Sequence, residues 1–222
     1  MTPIVKICGL SDAGAVDAAI RAGVDMVGFV FFPKSPRNVS IETAVALARR
    51  ARGRARIAAL TVDADDDALD RIVEGLDPDI LQLHGRESPA RVQDIGARYR
   101  SETMKAVGVA TRADLSAARA HAMAADWLLI DAKPPATAIL PGGNGIAFDW
   151  SLARDFDPGA PWLLSGGLDP QNVAEAVAET GARGVDVSSG VESAPGVKDI
   201  DRIAAFVAAA RSAFARAAER VD

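Results

Sequence analysis

Lys6 and Cys8 stand two residues apart in the apolar run Ile4–Cys8, a spacing that puts both side chains on one face of an extended strand. An ammonium beside a thiol favours the thiolate, the form of cysteine that takes part in proton transfer. A cysteine alone is more often a small buried hydrophobe, so its place matters: Cys8 closes its run immediately before Gly9. Asp131 closes another apolar run, where it could donate a proton, cap a turn or pair with Lys133. Gln82 and His84 share one face of a third run, and Asp186 and Ser188 share one face of a fourth. Polar side chains at a period of two inside apolar strands need a purpose, and all of these lie toward the C-terminal ends of their runs.

Two glycine turns could bind an anion. Ser165-Gly166-Gly167-Leu168 and Ser188-Ser189-Gly190 each follow an apolar run, and backbone N–H groups without side chains around them can approach a phosphate closely. Either turn alone could be no more than a tight loop. Two of them, after the last two runs, point to phosphate held by Gly166, Gly167, Ser189 and Gly190. No metal is expected, because His84 and His121 are the only histidines. Asp65-Asp66-Asp67 lacks the glycine and terminal glutamate of a calcium loop and reads as the acidic start of a helix. Gly142-Gly143-Asn144-Gly145, framed by Pro134-Pro135 and Pro141, reads as a loop that is either a mobile cover or purely structural.

Elements of one kind must position these groups. Strand-like runs recur at Ile4–Cys8, Met26–Phe31, Ile57–Val62, Ile80–His84, Thr103–Val107, Trp127–Asp131, Trp162–Ser165 and Val185–Ser188. Helical stretches lie between them. Ser11 leads Asp12–Ala22, which stops at Gly23; Ser40 leads Ile41–Arg52, which stops at Gly53; Ser88 and Pro89 open a segment through Arg98. Asp169 and Pro170 open another that closes near Gly181, and Asp199–Arg220 forms a long Ala-rich last helix. Eight alternating units predict an α/β fold, a single (β/α)8 TIM barrel over residues 1–222, with its site at the C-terminal strand ends. An open doubly wound sheet would usually carry G-x-G-x-x-G after its first strand, and that position reads Gly9-Leu10-Ser11-Asp12.

Composition narrows the partners. The chain has 222 residues, 49% of them hydrophobic, and a formal charge of −5, which disfavours a nucleic-acid backbone. The basic run Arg49, Arg50, Arg52, Arg54, Arg56 straddles a helix end, where cations complement the dipole. One cysteine precludes an internal disulfide, the N-terminus enters a strand pattern without a signal-like segment, and no apolar run is long enough to span a membrane. The expectation is a cytoplasmic enzyme, monomer or homodimer, with a small-molecule substrate.

Lys6-Ile7-Cys8-Gly9-Leu10 resembles the opening signature of the phosphoribosylanthranilate isomerases. Gly28–Arg37, Leu81–Gly85, Leu164–Leu168 and Val185–Glu192 resemble that family in the same order, so the likeness spans essentially the whole chain. It implies a cofactor-independent barrel that converts N-(5'-phosphoribosyl)anthranilate into 1-(o-carboxyphenylamino)-1-deoxyribulose 5-phosphate, an Amadori rearrangement in tryptophan biosynthesis. By resemblance Cys8 is the base, Asp131 the acid, and Arg37 meets the anthranilate end; the polar strand positions Lys6, Gln82, His84 and Asp186 are further substrate-binding candidates. The chain departs from the usual pattern at Asn144, where Thr is common, and at Thr61, where an aromatic is common. The nearest alternatives are another phosphosugar barrel enzyme, such as the histidine-pathway aminoaldose isomerase or indole-glycerol-phosphate synthase, and a barrel that binds a phosphosugar without turnover. Cys8 separates the first group, since the histidine-pathway enzymes are expected to carry aspartate at that strand end.

Overall fold

All eight apolar runs become strands, with ends that shift by a residue or two from the sequence reading. In the computed structural model, which describes residues 2–133, 142 and 147–219, they are β1 (Ile4–Cys8), β2 (Met26–Phe31), β3 (Arg56–Thr61), β4 (Ile80–Leu83), β5 (Glu102–Val109), β6 (Trp127–Ala132), β7 (Trp162–Leu164) and β8 (Gly184–Val187). They pair in parallel in chain order, and β8 returns to β1, closing a barrel. Around it lie α1 (Ala13–Ala22), α2 (Ile41–Ala51), α3 (Asp66–Leu76), α4 (Pro89–Arg98), α5 (Arg112–Ala122), α6 (Val173–Thr180) and α7 (Ile200–Glu219). Between β6 and β7 the described residues hold only a 3₁₀ turn, Trp150–Ala153, where a full helix would complete the repeat.

Side-chain caps set most helix starts. Ser40, Asp65, Ser88 and Thr111 each accept a hydrogen bond from the backbone N–H three residues on, satisfying a donor the helix leaves open. The first helix is capped by Asp12 instead of Ser11: the Asp12 carboxylate takes the Ala15 N–H at 2.9 Å. The sixth begins later than Asp169 because that side chain is occupied by the N–H groups of Gln171 and Asn172, making a turn that delays the helix to Val173. Asp65-Asp66-Asp67 is the acidic first turn of α3, as the sequence suggested. The basic run disperses over the surface: Arg50 pairs with Asp17 at 2.5 Å, Arg52 caps the end of α3, and Arg56 pairs with Glu102 at 2.9 Å.

Apolar side chains sort to two sides of the barrel wall. Val5, Ile7, Phe29, Leu81 and Val185 face outward against the helices, where Leu69 and Phe206 are fully buried. Met26, Ala58, Ile80, Met104, Leu129 and Leu163 fill the lower interior. Buried among the strands at the other end are Lys6, Gln82 and Asp186, so the polar strand positions are barrel-interior positions. A feature absent from the sequence reading follows β8: a short antiparallel hairpin of β9 (Glu192–Ala194) and β10 (Val197–Lys198). No helix among the described residues is long and apolar enough to cross a membrane.

Candidate active site

An open cavity lies at the C-terminal mouth of the barrel and brings together side chains far apart in the chain. Cys8 from β1, Gln82 and His84 from the end of β4, Asp131 from β6 and Asp186 from β8 all line it. Strand register explains the convergence. Lys6 is paired with Asp186 across β1 and β8, so their side chains enter the barrel side by side and form a buried ion pair at 2.8 Å. Cys8 stands opposite Gly28 of β2, and a Cβ built at Gly28 would sit 2.8 Å from the Cys8 sulfur. Glycine there leaves the volume the thiol occupies.

Cys8 is 3% exposed. Burial pushes its thiol above the ordinary value; the attraction of Lys6 opposes this and is outweighed, with Asp186 adding to the rise and Lys198 opposing it. Lys6 does draw the thiol down, as its place on the same face suggested, but burial outweighs it and the net direction is upward, so the thiol is the favoured form. Burial likewise disfavours the Lys6 ammonium, but Asp186 and Cys8 prevail and hold it above its ordinary value. Lys6 is fully buried and does not line the cavity; it underlies Cys8.

Asp131 is fixed at both oxygens. Its Oδ1 accepts the Ala132 N–H at 2.8 Å, and its Oδ2 faces His84 Nε2 at 3.2 Å. Gln82 Nε2 lies 3.2 Å from His84 Nδ1, so an amide donating there leaves the imidazole with its proton on Nε2, aimed at Asp131. Lys133 is not the partner of Asp131: it pairs with Asp114 at 2.9 Å. Of the loop from Pro134 to Gly145, only Gly142 is among the described residues, and a Cβ there would stand 2.6 Å from both Asp131 Oδ2 and His84 Nε2.

The two glycine turns stand side by side. Gly166 has φ +86° and Gly167 φ +65°, conformations that side chains disfavour, and among the described residues neither N–H meets a protein acceptor. Gly166, Gly167, Ser188 and Ser189 line the cavity, whereas Gly190 opens behind them into a second recess with Arg202. Opposite in character is the wall made by Val30, Phe32, Leu60 and Val62 next to Cys8. Thr61 faces away from that wall and does not reach the cavity.

The family profile described as N-(5'-phosphoribosyl)anthranilate (PRA) isomerase matches residues 5–209. The chain belongs to this family. It is 58% identical over 208 residues to the N-(5'-phosphoribosyl)anthranilate isomerase of Rhodopseudomonas palustris strain BisA53, covering 94% of this chain and 95% of that one. A crystal structure of phosphoribosyl anthranilate isomerase from Thermotoga maritima superposes with a TM-score of 0.85 at 33% identity, covering 96% of this chain and all of that one. Another crystal structure of such an isomerase, in complex with reduced 1-(o-carboxyphenylamino)-1-deoxyribulose 5-phosphate, gives a TM-score of 0.81 at 32% identity over 96% of this chain and 100% of that one.

In this isomerase-family barrel Arg37 is not a free surface residue. It is 6% exposed, lines the cavity and forms a two-pronged ion pair with Glu192 at 2.7 and 2.9 Å. Burial works to raise the Glu192 carboxyl, but Arg37 and Lys198 outweigh it and hold it below the usual range. Glu192 and Lys198 were not among the candidate residues, although Glu192 ends one of the family-like motifs. Lys105 and Glu87, also unanticipated, form a buried pair at 2.9 Å behind β4. Lys105 donates to the carbonyls of Leu83 and Gly85, the residues on either side of His84.

Proposed function

We propose that this chain catalyses the isomerisation of N-(5'-phosphoribosyl)anthranilate to 1-(o-carboxyphenylamino)-1-deoxyribulose 5-phosphate in tryptophan biosynthesis, with Asp131 as acid and Cys8 as base. The observation that carries these roles is that one cavity holds both groups between turns suited to a phosphate and an apolar wall suited to an aromatic ring. Asp131 protonates the ribose ring oxygen; the bond from that oxygen to C1 breaks and the anthranilate nitrogen lone pair forms a C1=N bond. Cys8, as thiolate, removes the C2 proton, giving a C1=C2 enolamine that tautomerises to the ketone. Hydrogen is only redistributed within the substrate, so this route needs no cofactor.

Each surrounding group has a part in this reading. The phosphate sits on the backbone of Gly166, Gly167, Ser189 and Gly190, and Arg37 takes the anthranilate carboxylate, whose geometry a guanidinium matches. His84, set by Gln82, orients the Asp131 carboxyl. Lys6 and Asp186 hold the charge balance under Cys8. Because the resting group is a thiol, the thiolate is a minor state from which turnover proceeds, and kcat/KM should rise with pH until Cys8 titrates. The reading takes residues 1–222 as one domain acting in the cytoplasm as a monomer or homodimer.

The test is loss of substrate fluorescence when purified protein meets phosphoribosylanthranilate made in situ. Cys8→Ser and Asp131→Asn should each lower kcat by about 10²- to 10⁴-fold with the circular dichroism spectrum unchanged. Near wild-type kcat in either variant removes that residue from the mechanism, and ligand binding without any turnover by the native chain removes the reaction.

A further inference from the structure

Behind the cavity, three segments meet at one carboxylate. Glu192 Oε1 accepts from Arg37 Nε at 2.7 Å and from Lys198 Nζ at 2.7 Å. Its Oε2 accepts from Arg37 Nη2 at 2.9 Å and from the Gly196 N–H at 3.2 Å. The Glu192 side chain is only 4% exposed and the Lys198 side chain is fully buried, and neither residue lines the cavity. Lys198 extends the chain of contacts to the turn after β8, donating to the Ser188 carbonyl at 2.9 Å with Ser188 Oγ at 3.3 Å. The hairpin carrying both residues packs against the Arg37 loop so closely that a Cβ at Gly196 would stand 2.6 Å from the Pro36 carbonyl oxygen.

Buried charges this fully coordinated are strongly oriented, and the two-pronged pair fixes the plane of the guanidinium as well as its position. A long side chain that is already ordered loses less entropy when a ligand arrives. We infer that Glu192 is a positioning residue: it presents Arg37 to the substrate carboxylate and, through Lys198, sets that group at a fixed distance from the Ser188–Gly190 phosphate turn. The hairpin thereby works as a ruler between the two anionic ends of the substrate. This rests on the reading of Arg37 and of the phosphate turns given above.

The test is steady-state kinetics on Arg37→Ala, Glu192→Gln, the double variant and Lys198→Met, with inorganic phosphate as a competitive inhibitor and thermal melts to score folding. Glu192→Gln should raise KM about tenfold while kcat per folded molecule stays within about threefold. In the Arg37→Ala background the same change should raise KM by less than about threefold, because coupled residues are not additive. Lys198→Met should weaken inhibition by phosphate about threefold or more, whereas Arg37→Ala should leave it unchanged. A purely structural Glu192 would lower the melting temperature and leave the KM of the folded protein alone, which overturns the inference. So does an equal KM factor in both backgrounds. Should Glu192→Gln not fold, Glu192→Asp keeps the charge on a side chain one methylene shorter; wild-type KM in that variant also overturns it. Arg37→Ala with wild-type KM defeats the reading of Arg37 itself, while a raised KM there beside an unaffected Glu192→Gln defeats only the ruler.

Discussion

Cys8 shows how two opposing effects are decided by magnitude at a single residue. The Lys6 ammonium lies close enough to favour a thiolate, yet it shares its charge with Asp186 at 2.8 Å, and removal of the sulfur from water dominates. Since the chain has one cysteine, alkylation by iodoacetamide reports on this thiol alone. The rate should climb with pH to a midpoint above the ordinary thiol value of about 8.5, and Lys6→Met should move the midpoint higher still. A midpoint at or below the ordinary value would show that the cation prevails. Asp131 is the complementary case, a carboxyl held by a backbone N–H on one oxygen and by His84 on the other.

At the scale of elements, catalysis depends on what each strand allows its neighbour to carry. β2 offers no side chain at Gly28, and the Cys8 thiol fills that space. Gly28→Ala should therefore displace the sulfur and lower kcat by about 10- to 100-fold, since small misplacements of a reacting group are costly; KM and the circular dichroism spectrum should change little. Wild-type kcat would mean that the strands adjust to accommodate the methyl group. β4 and β5 cooperate differently: Lys105 grips the carbonyls flanking His84, and Glu87 neutralises it while accepting the N–H of Gly85. The loop end that bears His84 is thus built from a buried ion pair as well as from strand pairing.

For the molecule as a whole, stability and chemistry occupy different layers. The helices close on an apolar shell in which Phe206 of α7 is fully buried, and α7 itself packs on α1, α6 and β1, binding the end of the chain to its start. Phe206→Ala should cost about 3–5 kcal/mol, read as a lower urea midpoint, with kcat/KM unchanged below the transition. A matching loss of kcat/KM in the folded state would mean that the shell and the cavity are mechanically coupled.

Periodicity and caps determined the barrel, because a parallel strand buried on both faces must be apolar and its interior polar positions then stand out at a spacing of two. Lys6, Cys8, Gln82, His84 and Asp186 were legible for that reason, and Asp131 and the two glycine turns because each closes or follows an apolar run. Which of them touch one another was decided only by register and closure: the pairing of Lys6 with Asp186 spans 180 positions, and nothing local to either residue encodes it. The same holds for Lys133, whose near neighbour Asp131 turns into the barrel while Asp114 on α5 takes its charge. The buried pairing of Glu192 and Lys198 was not legible for a further reason. A charged residue in a short polar segment reads as solvated surface, and only when the hairpin folds back over the β2 loop do Arg37 and Ser188 arrive to bury it.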